Sequence, residues 1–184
     1  MNFKLAAPLM AIMALTRFHH FGDAFSLPDA SLAVFFLAGL LQARRWWLFV
    51  ALLVEAGLID YVAITQFNVS AFCVSLAYIF LIPTYAVMWF AGSYCTKFAN
   101  LDLNELPKTI SVLFLGITGA FLISNGSFYL LSGRYADLSW AQYIDGVMQY
   151  YPHSLFVTLV YGVLGLIIIK LFKAIPALSQ HNAA

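Results

Sequence analysis

Residues 46–66 read Trp46-Trp47-Leu48-Phe49-Val50-Ala51-Leu52-Leu53-Val54-Glu55-Ala56-Gly57-Leu58-Ile59-Asp60-Tyr61-Val62-Ala63-Ile64-Thr65-Gln66. The run is apolar almost throughout, carries no proline, and shows no alternation of apolar and polar residues. About 20 such residues in helical geometry cross the ~30 Å hydrocarbon core of a bilayer. A transmembrane strand would instead alternate between its lipid and lumen faces. The stretch therefore predicts a membrane-spanning helix, and the rest of the chain is read around it.

Five further apolar stretches flank it, at about 4–18, 28–43, 74–95, 107–124 and 153–173, the first two being short for a full crossing. The composition agrees: of 184 residues, 63% are hydrophobic and 9% charged, against roughly 25% charged in an ordinary soluble domain. The expected fold class is an all-α integral membrane protein of six transmembrane helices, forming a single domain over residues 1–184. Lys4 and the apolar residues after it look like a signal peptide. No small-residue cleavage site follows before Arg17, so a retained helix is expected. A net charge of +1 with no basic stripe gives no nucleic-acid footprint.

Charge fixes the expected orientation. With both termini in the cytoplasm, Lys4, Arg44, Arg45, Lys97, Lys108, Lys170 and Lys173 fall inside, and Arg17 and Arg134 outside. That asymmetry follows the positive-inside rule, and the reverse topology inverts it. The outer segments are then 17–27, 67–73 and 125–152. The last is read as a long loop rich in aromatics (Phe128, Tyr129, Tyr135, Trp140, Tyr143, Tyr150, Tyr151), either an interfacial belt or a lid over a binding site.

Few residues in this composition can carry chemistry. Cys73 falls in an outer segment and Cys95 near the opposite face, about 33 Å away if a helix joins them. That exceeds disulfide reach, so Cys73 is a lone thiol, either a small packed hydrophobe or a reactive or ligating group. Glu55 lies near the membrane midplane and Asp60 in the outer half of the same helix, about 140° apart around its axis. Carboxylates at that depth are functional candidates or hydrogen-bond bridges between helices. Glu55 favours the bridging reading and Asp60 the functional one. Ser26-Leu27-Pro28-Asp29 has capping-box spacing, which assigns Asp29 to a helix N-terminus. His19 and His20, with His153 and Cys73, could form a mixed nitrogen–sulfur metal site, although no paired ligand motif is present. Pro83 is expected to interrupt the fourth span. Ala7-x-x-x-Ala11 and Gly116-x-x-x-Ala120 are small-residue faces suited to close helix contact.

Several of these segments together resemble one family. Thr16-Arg17-Phe18-His19-His20-Phe21-Gly22, Leu27-Pro28-Asp29-Ala30-Ser31, Phe72-Cys73-Val74 and Ser124-Asn125-Gly126-Ser127-Phe128-Tyr129 look like the BtuM group. These are bacterial vitamin B12 substrate-binding (S) components of energy-coupling-factor (ECF) transporters. The resemblance implies an ECF S-component-like bundle in the bacterial cytoplasmic (inner) membrane and a transport protein rather than an enzyme. It implies no cofactor of the protein's own, and cobalamin as the transported ligand. Cys73 stands where the group is expected to ligate the corrin cobalt. By the same likeness His20, Asp60, Tyr78 and Arg134 line the pocket. Ala7 and Ala11 match a face that meets a coupling subunit, itself served by separate ATPases. The group is often encoded apart from such a module, which leaves use of that face open.

Elementary chemistry is compatible with that reading. Thiolate is a soft donor suited to a late transition metal, and one axial position needs only one ligand. A thiolate donating into Co(III) also weakens the opposite axial bond, so loss of cyanide from cyanocobalamin is an expected accompaniment. Asn125, Ser127, Arg134 and Tyr135 offer partners for the corrin amides, and Phe72, Phe128 and Tyr129 offer apolar walls. Two other readings use the same residues. Cys73, His153 and Arg134 could serve as nucleophile, base and oxyanion stabiliser of a sortase-like membrane cysteine transpeptidase. Glu55 and Asp60 could serve a proton-coupled carrier.

Overall fold

The structure is a computed structural model describing residues 3–17, 27–67, 71, 74–98, 104–135 and 138–181. Among the described residues every regular element is helical: α1 (Phe3–Arg17), α2 (Ser31–Gln42), α3 (Trp46–Gln66), α4 (Leu81–Tyr94), α5 (Leu106–Leu131) and α6 (Trp140–His181). A 3-10 segment, Leu76–Phe80, leads into α4, and another, Cys95–Phe98, leaves it. Four stretches are long and apolar enough to cross a membrane: Trp46–Gln66, Leu76–Phe98, Leu106–Leu131 and Trp140–Phe172. The helices α1 and α2 are apolar but shorter. Outward-facing Val50, Val54, Leu58, Phe156, Leu164 and Ile168 are exposed, as a multi-pass membrane protein requires of residues that meet lipid.

The core is built on α2, whose Phe35, Phe36 and Ala38 are fully buried. It packs antiparallel to α4 at unusually close range. A Cβ on Gly39 would overlap the carbonyl oxygen of Trp89, and one on Gly92 would overlap that of Phe36. Each helix thus sets a bare backbone against the other's carbonyl, the small-residue packing that drives helix association where lipid removes the hydrophobic incentive. Phe49 and Trp46 of α3 then close over Trp89, with ring centroids 5.4 and 6.2 Å from it. On the opposite side of α4, Gly116 meets Ala91, and Ala120 is buried. The Gly116-x-x-x-Ala120 face is therefore a helix contact. The corresponding Ala7 and Ala11 face of α1 is exposed, while Ala6, Leu9 and Met13 turn inward.

Two expectations change. Residues 125–152 are not a long loop: α5 continues to Leu131, Gly133 at φ 68° follows its end, and α6 begins at Trp140. A positive φ suits glycine just past a helix C-terminus. Except for Tyr135 in the connection, the aromatics named there are helical side chains, and Pro152 lies inside α6. Pro83 does not break a span either. It is the third residue of α4, where a missing N–H forfeits no intrahelical bond, and the preceding 3-10 turn takes up the change of geometry. Asp29 does cap α2, from the residue before Ala30; Ser26, the other half of the expected box, lies outside the described residues. Asp29 Oδ1 accepts from Ser31 N and Ser31 Oγ at 2.9 and 2.5 Å.

Candidate functional site

The most polar point of the described core is the last residue of α1. Arg17 is 4% exposed, and its guanidinium reaches side chains from three other elements. Nε donates to Asp60 Oδ1 at 2.7 Å and Nη2 to Asp60 Oδ2 at 2.6 Å, a bidentate pair between α1 and α3. Nη1 donates to the Tyr85 hydroxyl of α4 at 2.7 Å, to Ser31 Oγ of α2 at 3.1 Å and to Asp29 Oδ2 at 3.3 Å. Tyr78 of the 3-10 segment donates to Asp60 Oδ2 at 2.7 Å. One planar cation with five donors thus ties together the ends or flanks of four helices, a geometry that lysine, with its point charge, does not reproduce.

Local sequence explains the assembly. A cation in the last turn of α1 complements the partial negative charge at a helix C-terminus. The side chain of Thr16 folds back to Ile12 O at 2.9 Å and also accepts from Ala30 N at 3.2 Å, fixing the α2 entry beside α1. Asp60 lies on the buried face of α3 with Ala56, Ile59 and Ala63. The Tyr85 ring stacks on Phe35 at 4.2 Å between centroids, 6° from parallel, which aims its hydroxyl at Arg17. Among the described residues two carboxylates face this guanidinium, Asp29 being the more exposed of them (29% against 9% for Asp60).

A groove of about 660 Å³ opens beside this cluster between α3 and the start of α4. Its walls include Leu53, Gly57, Val74, Ser75, Tyr78 and Tyr85. Both tyrosines that bond the cluster therefore also face the groove, which is otherwise apolar. Few polar groups set in apolar walls is the common design of a small-molecule site.

The residues expected in a pocket divide into groups. Asp60 and Tyr78 are brought into direct contact. His20 and Cys73 lie outside the described residues, as does His19. Asn125 is half-buried on α5, next to Gly126. Gly126, Tyr129, Leu138 and Tyr143 help line a second cleft of about 340 Å³ at the α5–α6 junction. Tyr135 is half-buried and packs its ring against Tyr129 and Phe128, with centroids 4.6 and 6.5 Å apart. Arg134 is exposed in the connection, its backbone N–H bonded to Ser132 Oγ at 3.2 Å. Tyr129 secures that connection, accepting from Ser139 N at 2.6 Å and donating to Ser139 O at 2.8 Å.

Other candidates are settled more simply. Cys95 is a buried free thiol. The Oε2 atom of half-buried Glu55 has no hydrogen-bond partner among the described residues, so the interhelical bridge expected of it is not made through that atom. Among the described residues no group of His, Cys, Asp and Glu could hold a metal ion. Arg17 is the residue whose role sequence reasoning misses, since there it counts as an outer-side charge and as part of a motif but not as a site residue. The available signal is an arginine closing one apolar helix and an aspartate in the outer half of another, a pair that intramembrane charges normally form. In comparisons with known proteins, no family model and no curated protein matches the chain.

Proposed function

We propose that this protein binds cobalamin or a related corrinoid at the Arg17 end of the bundle and serves its uptake, as an S component of the ECF type. In this reading all six helices traverse the bacterial cytoplasmic membrane, both termini are cytoplasmic, and the Arg17 end faces outward. The thiolate of Cys73 takes one axial position on cobalt, and the vitamin is cargo rather than resident cofactor. Energy comes either from a coupling subunit with its ATPases, met through Ala7 and Ala11, or from a different supply if the protein works alone.

The observation that carries this reading is the groove between α3 and α4. Val74 and Ser75 form part of its wall, and Cys73 is the chain neighbour of Val74. Tyr78 and Tyr85 present their rings to the groove and their hydroxyls to the Asp60–Arg17 cluster. An open apolar groove with a polar edge suits a macrocycle with broad apolar faces and an amide-bearing rim. The sortase-like alternative asks for His153 beside Arg134. His153 instead lies within α6, about 20 Å along the helix from Trp140 by its rise per residue. The carrier alternative asks Glu55 and Asp60 to exchange protons; Asp60 is held by both prongs of a guanidinium, which leaves Glu55 alone to serve it.

The visible spectrum tests the reading. Protein purified from cobalamin-fed cells is expected to be pink, with a corrin spectrum shifted by thiolate ligation. Cys73→Ser should abolish the shift and Cys95→Ser should retain it. Colourless wild-type protein, or a shift that survives in the Cys73 variant, overturns it.

A further inference from the structure

A third cavity lies at the opposite end of the bundle from Arg17, in the short turn from α2 to α3. It measures about 480 Å³, its polar wall formed by Gln42, Arg44, Arg45 and Thr96 and its apolar wall including Leu40 and Leu41. We propose that this cavity binds an anionic phosphate group, brought either by a phospholipid headgroup of the adjoining leaflet or as free inorganic phosphate. The inference is independent of the corrinoid reading.

Three observations carry it. First, the two guanidinium groups occupy adjacent positions in a three-residue turn, where like charges repel. The ion pairs formed among the described residues are Arg17 with Asp29 and Asp60, and Lys108 with Glu105, so no described carboxylate offsets Arg44 or Arg45. Glu105, the residue before α5, pairs through Oε1 with Lys108 at 3.1 Å and forms no ion pair with either arginine. Second, Arg45 stands at the N-cap of α3, and its side chain makes no capping hydrogen bond there. A cation at a helix N-terminus is unfavourable, and an anion held between the two arginines offsets both that placement and their mutual repulsion. Guanidinium forks match phosphate oxygens two at a time. Third, Trp46 and Trp47 follow directly and are exposed, at 53% and 43%. Paired tryptophans of this kind mark headgroup depth, so the cavity opens at the level where phosphodiesters lie. Basic pockets between transmembrane helices recognise anionic headgroups in this manner.

Quenching of tryptophan fluorescence by brominated lipid reads the occupancy directly. The full chain, in a Trp140→Phe background to remove the exposed indole at the other end, is reconstituted into phosphatidylcholine vesicles. These contain either brominated phosphatidylglycerol or brominated phosphatidylcholine at equal fraction. Phosphatidylglycerol should quench preferentially, and each of Arg44→Gln and Arg45→Gln should reduce its relative binding constant roughly fivefold. Lys170→Gln, which removes another cation without touching the cavity, should leave the preference unchanged. Inorganic phosphate at millimolar concentration separates the sources. Relief of the preferential quenching assigns the site to free phosphate, and its persistence assigns it to lipid. Equal quenching by the two lipids, together with no change in the emission of Trp46 and Trp47 when inorganic phosphate is added, overturns the proposal, as does a preference that survives both arginine substitutions or falls equally with Lys170→Gln.

Discussion

Arg17 and Asp60, 43 residues apart in the chain, are joined by two parallel hydrogen bonds of 2.7 and 2.6 Å in a setting where neither side chain is more than 9% exposed. Burying two ions is costly, and their attraction repays the cost only when geometry is good and remaining donors are satisfied. Both conditions hold here, because Tyr85, Ser31 and Asp29 take up Nη1 and Tyr78 bonds the aspartate. The pair therefore acts chiefly as a positional device, fixing α1 against α3 and α4.

Breaking it on one side is expected to be severe. Asp60→Asn leaves a buried guanidinium with, among the described residues, the more distant Asp29 as counter-charge and should lower stability by about 3–5 kcal/mol. Arg17→Met should cost a similar amount by stranding Asp60. The double variant Arg17→Met/Asp60→Leu should lose less than the sum of the two single losses, since no buried charge of the pair then remains. Thermal unfolding in one detergent gives all the terms of this double-mutant cycle, and simple additivity would show the two groups to be uncoupled.

Tyr85 separates hydrogen bonding from packing. Tyr85→Phe removes the hydroxyl that accepts from Arg17 and keeps the ring stacked on Phe35. Hydrogen bonds to charged groups are worth about 1.5–3 kcal/mol, and the loss should fall at the lower end because Nη1 retains Ser31 and Asp29. Tyr85→Ala removes the ring as well and should cost about 3–5 kcal/mol. Equal melting temperatures for the Tyr85→Phe variant and the wild-type protein would assign the stabilisation to the ring alone.

Apolar continuity makes the helices legible in the sequence, since a run such as Trp46–Gln66 has few other stable states in lipid. The ends are less so. Tyr129, Trp140 and Tyr143 read as loop residues because aromatic and polar residues mix there, yet tertiary contacts between α5 and α6 carry both helices past the apolar stretch. The Thr118–Tyr151 hydroxyl contact at 2.8 Å and the Tyr129–Ser139 bonds are such contacts. Asp60 is legible as a candidate because a carboxylate in a span is conspicuous by depth alone. Its partner is not, because Arg17 stands at a helix end, where an arginine ordinarily meets water. Pairing two such positions requires knowing which helices adjoin.

Topology can be read from two exposed sites at opposite ends of α5. Asn104 precedes that helix and Ser139 follows it before α6 begins. In a background lacking Cys73 and Cys95, a membrane-impermeant maleimide added to intact cells should label Ser139→Cys and spare Asn104→Cys until the membrane is opened. Labelling of Asn104→Cys from outside would reverse the proposed orientation, and labelling of both would show that α5 does not cross.

The α2–α4 crossing makes the last expectation the most local. Gly39 and Gly92 each stand where a Cβ would overlap a backbone carbonyl of the other helix, and backbone cannot rotate away as a side chain can. Either alanine substitution must push the helices apart, opening gaps around fully buried Phe36 and Trp89. Overpacking of a side-chain core typically costs about 1–3 kcal/mol, and a clash against main chain should reach about 3 kcal/mol or more. Gly57, in the middle of α3, has nothing within 4 Å of its would-be Cβ. There alanine should be neutral or stabilising by up to about 1 kcal/mol through helix propensity alone. Melting temperatures of the three alanine variants in one detergent would decide it. If Gly39→Ala and Gly92→Ala unfold where Gly57→Ala does, the two helices do not meet as closely as their glycines permit.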